Sequence, residues 1–475
     1  MPTVCYKKSF KYVKNNFIVS KLASTFPSQV TLLNTAEHLA WRSEFWSKHQ
    51  EAVQPACIFR PKSPKEVAIA VLICRWSRCA FAVKSGGHAA MKGAWNSDGG
   101  ITIDLVDLDS IELSEDKRIA RLGTGNTWMN VYEKLAKDGL AVVGGRASDI
   151  GVGGFTLGGG ISFFASLYGW GCDNVANFEV VTASGGPNFG IVTRFDLETF
   201  PQGNIFAGSI AYHYPTQATA AISAFSNIAY NPDLKASTWL VLVNRIGHDT
   251  ISTLTMYKDP NPHAEVFGEY KSMPNLMDTT KVRSLEDMTL QVRATNPKNL
   301  REMYWTHTFK FSGDFIRWFA ATFFKELEGT KGKYERHTPV PVFQIITPEC
   351  VARMKGNGGN CLPLMESEAP YMNLIYSCSW QNEEDDDYII GMIARLMGTA
   401  VKEGKKRGLW VEYVYMNYAS EYQDVLGGYG EENVAKLKVV AKKYDPQAIF
   451  QTLMPGYFKL CGAPRISGPG VWKED

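Results

Sequence analysis

The residues best equipped for chemistry in this 475-residue chain sit beside glycine turns and in one Asn-Tyr pair. His88 closes the turn Lys84-Ser85-Gly86-Gly87-His88, directly after the apolar run Phe81-Ala82-Val83. Glycines let a backbone come close to a pyrophosphate, whose oxygens accept from its N–H groups. An imidazole at the end of such a turn is a nucleophile or a base. Further glycine clusters stand at 123–125, 151–154 and 158–160. One cluster alone reads as a tight turn, but several in one span ask for another reason. Near the far end, Tyr418 follows Asn417. A phenol ordinarily titrates near ~10, and a neighbouring cation brings it within reach of base work. On spacing alone an ordinary core or surface histidine is the better reading of His88, while Tyr418 also reads as a packed aromatic and Asn417 equally as a partner for buried backbone.

Two other chemistries fail on spacing. Gly151-Val152-Gly153-Gly154-Phe155-Thr156 is not a dinucleotide fingerprint, because Thr156 holds the place of the last glycine and Gly144 to Asp149 is no buried strand. The nine cysteines are odd in number and contain no CxxC pair, which argues against a disulfide framework or a zinc site. The acidic run Glu383 to Asp387 suits the start of a helix and lacks the scaffold of a metal site. No metal is expected.

The elements that must position these residues fall into stretches. Cys57-Ile58-Phe59 reads as a strand, Ser63-Pro64 as a helix start with Ser63 as N-cap, and Val67, Ala70, Val71 and Cys74 as the buried stripe of that helix. Strands are predicted at Phe81–Val83, Ile101–Leu105, Arg121–Thr124, Phe178–Ala183 and Ile191–Leu197, with a helix from Trp128 to Lys137. After Asn204 glycine thins out, and long strands alternate with long helical patterns to about Lys405. A tail follows with a strand over Val411–Tyr415 and a helix over Glu431–Lys442.

The joint set of motifs resembles the vanillyl-alcohol-oxidase superfamily with its PCMH-type FAD-binding domain. Within it the chain is similar to the berberine-bridge-enzyme-like, oxygen-dependent FAD-linked oxidoreductases of fungal type, many of which act on secondary metabolites. The motifs are Lys84 to His88, where the branch usually has Arg for Lys84; Gly123 to Trp128; Gly145-Arg146; Gly151 to Gly160; Tyr168 to Val175; Asn188 to Thr193; Tyr415 to Ala419; Tyr429-Gly430; and Lys443 to Pro446. They span nearly all of residues 25–460.

The resemblance implies an α+β fold. A two-subdomain FAD-binding domain would occupy 51–203 after an N-terminal segment, 1–50. An α+β substrate domain with an antiparallel sheet would span 204–405. A berberine-bridge-like segment, 406–460, would return to the FAD domain before a tail, 461–475. It implies that His88 bonds covalently to the flavin 8-methyl carbon, that Lys84, Ser85, Gly86 and Gly87 form the pyrophosphate loop, and that Gly153, Gly154, Gly159 and Gly160 form a second wall beside the cofactor. Asp173, Asn174, Val175, Gly190, Ile191 and Val192 match segments lining FAD. A second covalent link through cysteine is not expected, since Ala147 stands at that position. Tyr418 matches the base that removes a substrate proton while hydride moves to flavin N5, with Asn417 at its side. Gln344 and Gly358-Gly359-Asn360 match substrate-domain positions. Dioxygen is the acceptor expected for an oxidase, and a small organic molecule the substrate.

The chain departs from the family after Gly185, where relatives carry an extra segment. Its loss predicts an unpaired strand edge or a hole near the cofactor, and keeps open a catalytically impaired or non-redox protein as the alternative function. The formal charge of +2 gives no reason to expect nucleic acid. No run approaches the ~18 apolar residues of a membrane span. The stretch before Thr25 has no continuous apolar core like that of a secretory signal, so a cytoplasmic location is expected. A mitochondrial presequence is the alternative, because this stretch is basic and free of acidic residues.

Overall fold

The computed structural model describes residues 18–182, 189–245, 248–329, 337–356, 358–454 and 456–460. The junction after Gly185 and the 461–475 tail lie outside these. Three sheets organise the chain. The first has the order β1 (Val30–Leu32), β2 (Cys57–Phe59), β4 (Ile101–Asp104), β3 (Phe81–Lys84), with β2, β4 and β3 parallel. Helix α1 (Pro64–Ser77) connects β2 to β3. Ser63 caps it by accepting from the Glu66 N–H, Pro64 opens it, and Arg78 ends it at a left-handed φ of 55°. Its buried stripe is Val67, Ala70, Val71 and Cys74, as the spacing predicts.

The second sheet is antiparallel. It contains β5 (Ile111–Leu113), β6 (Ile119–Gly123), β7 (Leu140–Val142), β8 (Val175–Val181) and β9 (Ile191–Pro201). Helix α2 (Trp128–Ala136) covers it through Trp128, Val131, Tyr132 and Leu135. Among the described residues β8 pairs with β9 alone, and Phe178 and Val180 are 41% and 39% exposed on it.

The third sheet has nine strands, all antiparallel. Its core order is β10 (Ile205–His213), β12 (His248–Tyr257), β11 (Ala236–Arg245), β16 (Thr338–Ile346), β17 (Tyr371–Trp380), β15 (Arg301–Lys310), β18 (Trp410–Val411), with β13 (Met277–Asp278) and β14 (Lys281–Arg283) on β10. Strand alternation gives this sheet two faces. Leu240, Phe343, Leu374, Met303 and Phe309 pack beneath helices α3 (Ala218–Tyr230), α4 (Gly313–Glu328) and α5 (Asp386–Lys406) in one core rich in phenylalanine. Full burial of each such side chain contributes about 1.5–3 kcal/mol, so this face anchors the sheet. The opposite face carries Trp239, Gln344, Tyr304 and Glu302 and looks toward the first two sheets. Cores continue across the junction: Leu285, Met288, Val292, Ala207 and Met256 share one cluster with Trp128 and Phe195.

The last segment joins all three sheets. The tail strand is shorter than predicted, since only Trp410 and Val411 pair with β15. Residues 412–415 leave the sheet so that Tyr413 and Tyr415 can be buried beside Trp170. Gln423 then ties the crossing to β15, donating to the Thr306 carbonyl at 2.7 Å and accepting from the Thr306 N–H at 3.2 Å. Beyond the helix Glu431–Tyr444, Ile449, Phe450, Leu453 and Met454 pack under the first sheet, and the Phe81 N–H donates to the Leu453 carbonyl at 2.9 Å.

Candidate active site

The glycine clusters meet. A Cβ on Gly86 would lie 2.4 Å from the Gly151 nitrogen, and a Cβ on Gly151 2.4 Å from the Gly86 nitrogen, so the two backbones cross where no side chain fits. Ser85 Oγ donates to the Thr124 carbonyl at 2.6 Å and accepts from the Gly153 N–H at 3.3 Å. Gly153 is itself closed in by Ser85 and Thr124, whereas Gly154 faces open space. The turns at 85–87, 123–125 and 151–154 thus form one tightly packed floor, on which Gly154 is exposed. Gly159 and Gly160 have φ of 112° and 84° and pack against Trp170 and Phe155 respectively, so they shape the floor from beneath. Lys84 turns to the buried Asp104 carboxylate at 3.1 Å. Asp173 accepts from the Trp170 N–H at 2.8 Å and from Asn360 at 2.7 Å, clasping the floor to a loop of the third sheet's domain. Burial raises its carboxyl above the ordinary range. Val175 opens β8, and Ile191 and Val192 are buried in two cores under the floor.

His88 stands at the rim of this floor. Its ring stacks on Trp46 at 4.1 Å, and Trp46 stacks on Tyr304 of the third sheet at 5.7 Å. Burial holds the His88 pKa below its ordinary value, against the opposing pull of Asp149. A neutral imidazole keeps a free lone pair. His88 Nε2 lies 3.7 Å from Asp149 Oδ1, and Asp149 also pairs with Arg293 at 3.3 Å. Both Asp149 oxygens and His88 Nε2 are buried without a hydrogen bond.

Asn417 and Tyr418 reach the site from the crossing segment. Asn417 donates to the Phe155 carbonyl at 3.0 Å and to the Tyr415 hydroxyl at 3.1 Å, and fills the space over Gly158 that a Cβ would need. Tyr418 is half-buried, with Tyr304 5.8 Å away between ring centroids. Its hydroxyl accepts a hydrogen bond from Arg146 Nη2. The guanidinium of Arg146 lies over the Trp239 ring at 4.2 Å. Gln344 sits opposite Trp239 in the sheet register and is 4% exposed.

Four tyrosines crowd this region, and their surroundings separate them. Burial pushes the hydroxyls of Tyr304, Tyr413 and Tyr415 up, so these keep their protons. Tyr418 is the one given a guanidinium donor. A donor on a phenolic oxygen stabilises the charge that develops there as the proton leaves.

Sequence reasoning named His88, Asn417, Tyr418 and Gln344; ring contacts link His88 through Trp46 and Tyr304 to Tyr418, and Arg146 links Tyr418 to Trp239, the cross-strand partner of Gln344. It missed Trp46, Asp149, Trp239, Glu302 and Tyr304. Arg146 stood inside a quoted motif, Gly145-Arg146, without being given a role. Among the described residues no group of His, Cys, Asp or Glu is arranged to hold a metal, and no helix is long and apolar enough to cross a membrane.

A crossed-glycine floor beneath an antiparallel sheet, with a histidine at its rim, is an arrangement that the comparisons with known proteins place among FAD-dependent enzymes. Residues 55–186 match the FAD binding domain family. The chain is 34% identical to the FAD-dependent monooxygenase tpcD of Cochliobolus heterostrophus, with 88% of this chain and 87% of that protein covered. It is 32% identical to the FAD-dependent monooxygenase FUP4 of Fusarium proliferatum, over the same shares. The fold is that of 6-hydroxy-D-nicotine oxidase from Arthrobacter nicotinovorans, at a TM-score of 0.73 and 18% identity, covering 89% of this chain and 96% of that one. A variant of berberine bridge enzyme superposes at a TM-score of 0.73 with 12% identity, covering 91% of this chain and 98% of that one. The chain therefore belongs to the family of FAD-dependent oxidoreductases that includes these fungal enzymes of secondary metabolism, and it shares its fold with berberine bridge enzyme.

Proposed function

We propose that this protein oxidises a small secondary-metabolite intermediate in the cleft between floor and sheet, with Tyr418 as the base and dioxygen as the final electron acceptor. The observation that carries the reading is the Arg146–Tyr418 hydrogen bond, which sets a charge-stabilised phenol between the glycine floor and the sheet. A flavin held on the glycine floor would supply the two-electron oxidising chemistry. Tyr418 would accept the substrate proton as its phenolate, the form whose charge the Arg146 hydrogen bond stabilises, and become a neutral phenol. Asn417, locked to Phe155 and Tyr415, holds the segment that carries Tyr418. Gln344 faces the substrate from the sheet.

The residues fit a flavin. The floor offers backbone where Gly154 faces open space, and the buried, unbonded His88 Nε2 stands at its rim. His88 is the covalent anchor in this reading. Denaturing-gel flavin fluorescence tests it: the wild type should fluoresce and His88→Ala should not. A fluorescent His88→Ala band would refute the anchor, and a wild-type protein that stays colourless with excess FAD would refute the flavin reading itself. Peroxide formed in step with product separates an oxidase from a monooxygenase, in which oxygen enters the product, and from a dehydrogenase, which leaves dioxygen untouched.

A further inference from the structure

Arg146 has an unusual surplus of donors. Its side chain is 5% exposed, yet among the described residues no carboxylate lies within ion-pair distance of it. One N–H goes to Tyr418, and the Trp239 face covers the guanidinium plane. A guanidinium carries five N–H donors in a fixed fork, which leaves donors over. A desolvated cation is costly without a counter-charge, and an aromatic face supplies only part of one.

The surplus opens into a pocket. Arg146, Ser162, Phe163, Trp239, Gln344 and Thr347 line one small cavity that is partly open to solvent. Gln344 Oε1 is buried in it with no donor to accept from. Gln344 and Trp239 are direct cross-strand partners, so the amide and the stacked guanidinium share one face of the sheet. The pocket's one acidic group, Asp233, is already committed, to the Lys235 N–H at 2.9 Å and the Tyr257 hydroxyl at 3.0 Å. It leaves Arg146 uncompensated.

We propose that this pocket selects substrates that carry an acidic oxygen, a carboxylate or an ionised phenol or enol, next to a hydroxyl. This deepens the reading of the cleft above and rests on it for the claim that the bound molecule is the one oxidised. The acidic oxygen accepts from the free fork of Arg146, and the hydroxyl donates to Gln344 Oε1. Apolar Phe163 and Ile345 border the rest of the molecule. Because Arg146 also holds Tyr418, binding the acidic oxygen sets the base and the substrate in one frame.

Salicylate has this pair of groups, and salicylamide is its neutral counterpart. Titration calorimetry on FAD-loaded protein should show salicylate binding at least about tenfold more tightly, a difference of about 1.4 kcal/mol. Arg146→Met should erase that preference, and Gln344→Leu should weaken both ligands. If Arg146→Met does not fold, Arg146→Lys should keep the preference for the anion with weaker binding. Equal affinity for the two ligands, no binding of either, or an unchanged preference in the variants overturns the proposal. So does salicylate that binds flavin-free protein and is expelled by FAD, since Arg146 would then serve the cofactor. A chain that takes up no flavin but still prefers salicylate would sink the flavin reading while leaving the anion site standing.

Discussion

The floor and the sheet above it build their halves of the site from different materials. The floor is backbone: Gly86 and Gly151 cross at a separation that excludes any side chain, and Ser85 stitches the turns together. The sheet contributes side chains, Trp239, Gln344, Tyr304 and Glu302, which share one face because strand residues alternate between faces. Steric exclusion leaves a mark on composition, and alternation leaves almost none. A substitution in the floor should therefore cost the fold, and one at the Tyr418 side should cost the reaction.

Gly86→Val gives the largest effect. Its Cβ would meet rigid backbone, so either turn must shift and the floor opens. The expected outcome is loss of flavin absorbance and a fall in Tm of about 10 °C or more, as severe strain produces. Gly154→Ala, on the same floor but with nothing near its Cβ, should melt like the wild type. If both variants behave alike, the floor is not defined by close backbone approach. Tyr418→Phe comes next. It should leave melting and flavin content unchanged and slow the anaerobic bleaching of flavin by roughly 10²–10⁴-fold, with any compound that reduces the wild type. An undiminished rate would move the base elsewhere.

Glu302→Gln has a smaller, pH-dependent effect. Burial pushes the Glu302 carboxyl from the ordinary carboxylate range up to about 9. The folded state then holds a proton that the unfolded chain has released, so stability is full below about 4.5 and falls as pH rises toward about 9. The slope is at most about 1.4 kcal/mol per pH unit. Removing the ionisable group should flatten the fall in Tm between mildly acidic and mildly alkaline buffer. Parallel wild-type and Glu302→Gln curves would show that Glu302 does not titrate in this window.

The same contrast explains how much could be read from the sequence. Ser63-Pro64, the stripe of α1 and the glycine turns were legible because each is a local solution to a local demand. His88 and the Asn417-Tyr418 pair were legible through the motifs around them. Arg146 hid in plain view, since nothing near it in sequence shows that its partners are Trp239 and Tyr418. Trp46, Tyr304 and Glu302 left no local trace at all. Their spacing fits any half-buried strand or helix: the register of β15 places Tyr304 and Glu302, and Trp46 is placed by its stacking between His88 and Tyr304. The predicted tail strand over Val411–Tyr415 was too long for a related reason. The aromatics that suggested a strand are buried against Trp170 instead of paired with β15.

The hydrogen bond between Arg146 and Tyr418 joins residues 272 positions apart. Loop closure over such a distance comes late in folding, after local turns and helices have formed. A ribosome adding about 5–20 residues each second exposes Arg146 well before Tyr418 has been made. The floor can thus gather as an early unit, while the reactive constellation exists only once the whole chain has been released and its last segment has crossed back. A truncated or stalled product would carry the glycine turns without Tyr418, and on the function proposed above it would hold a flavin without turning it over.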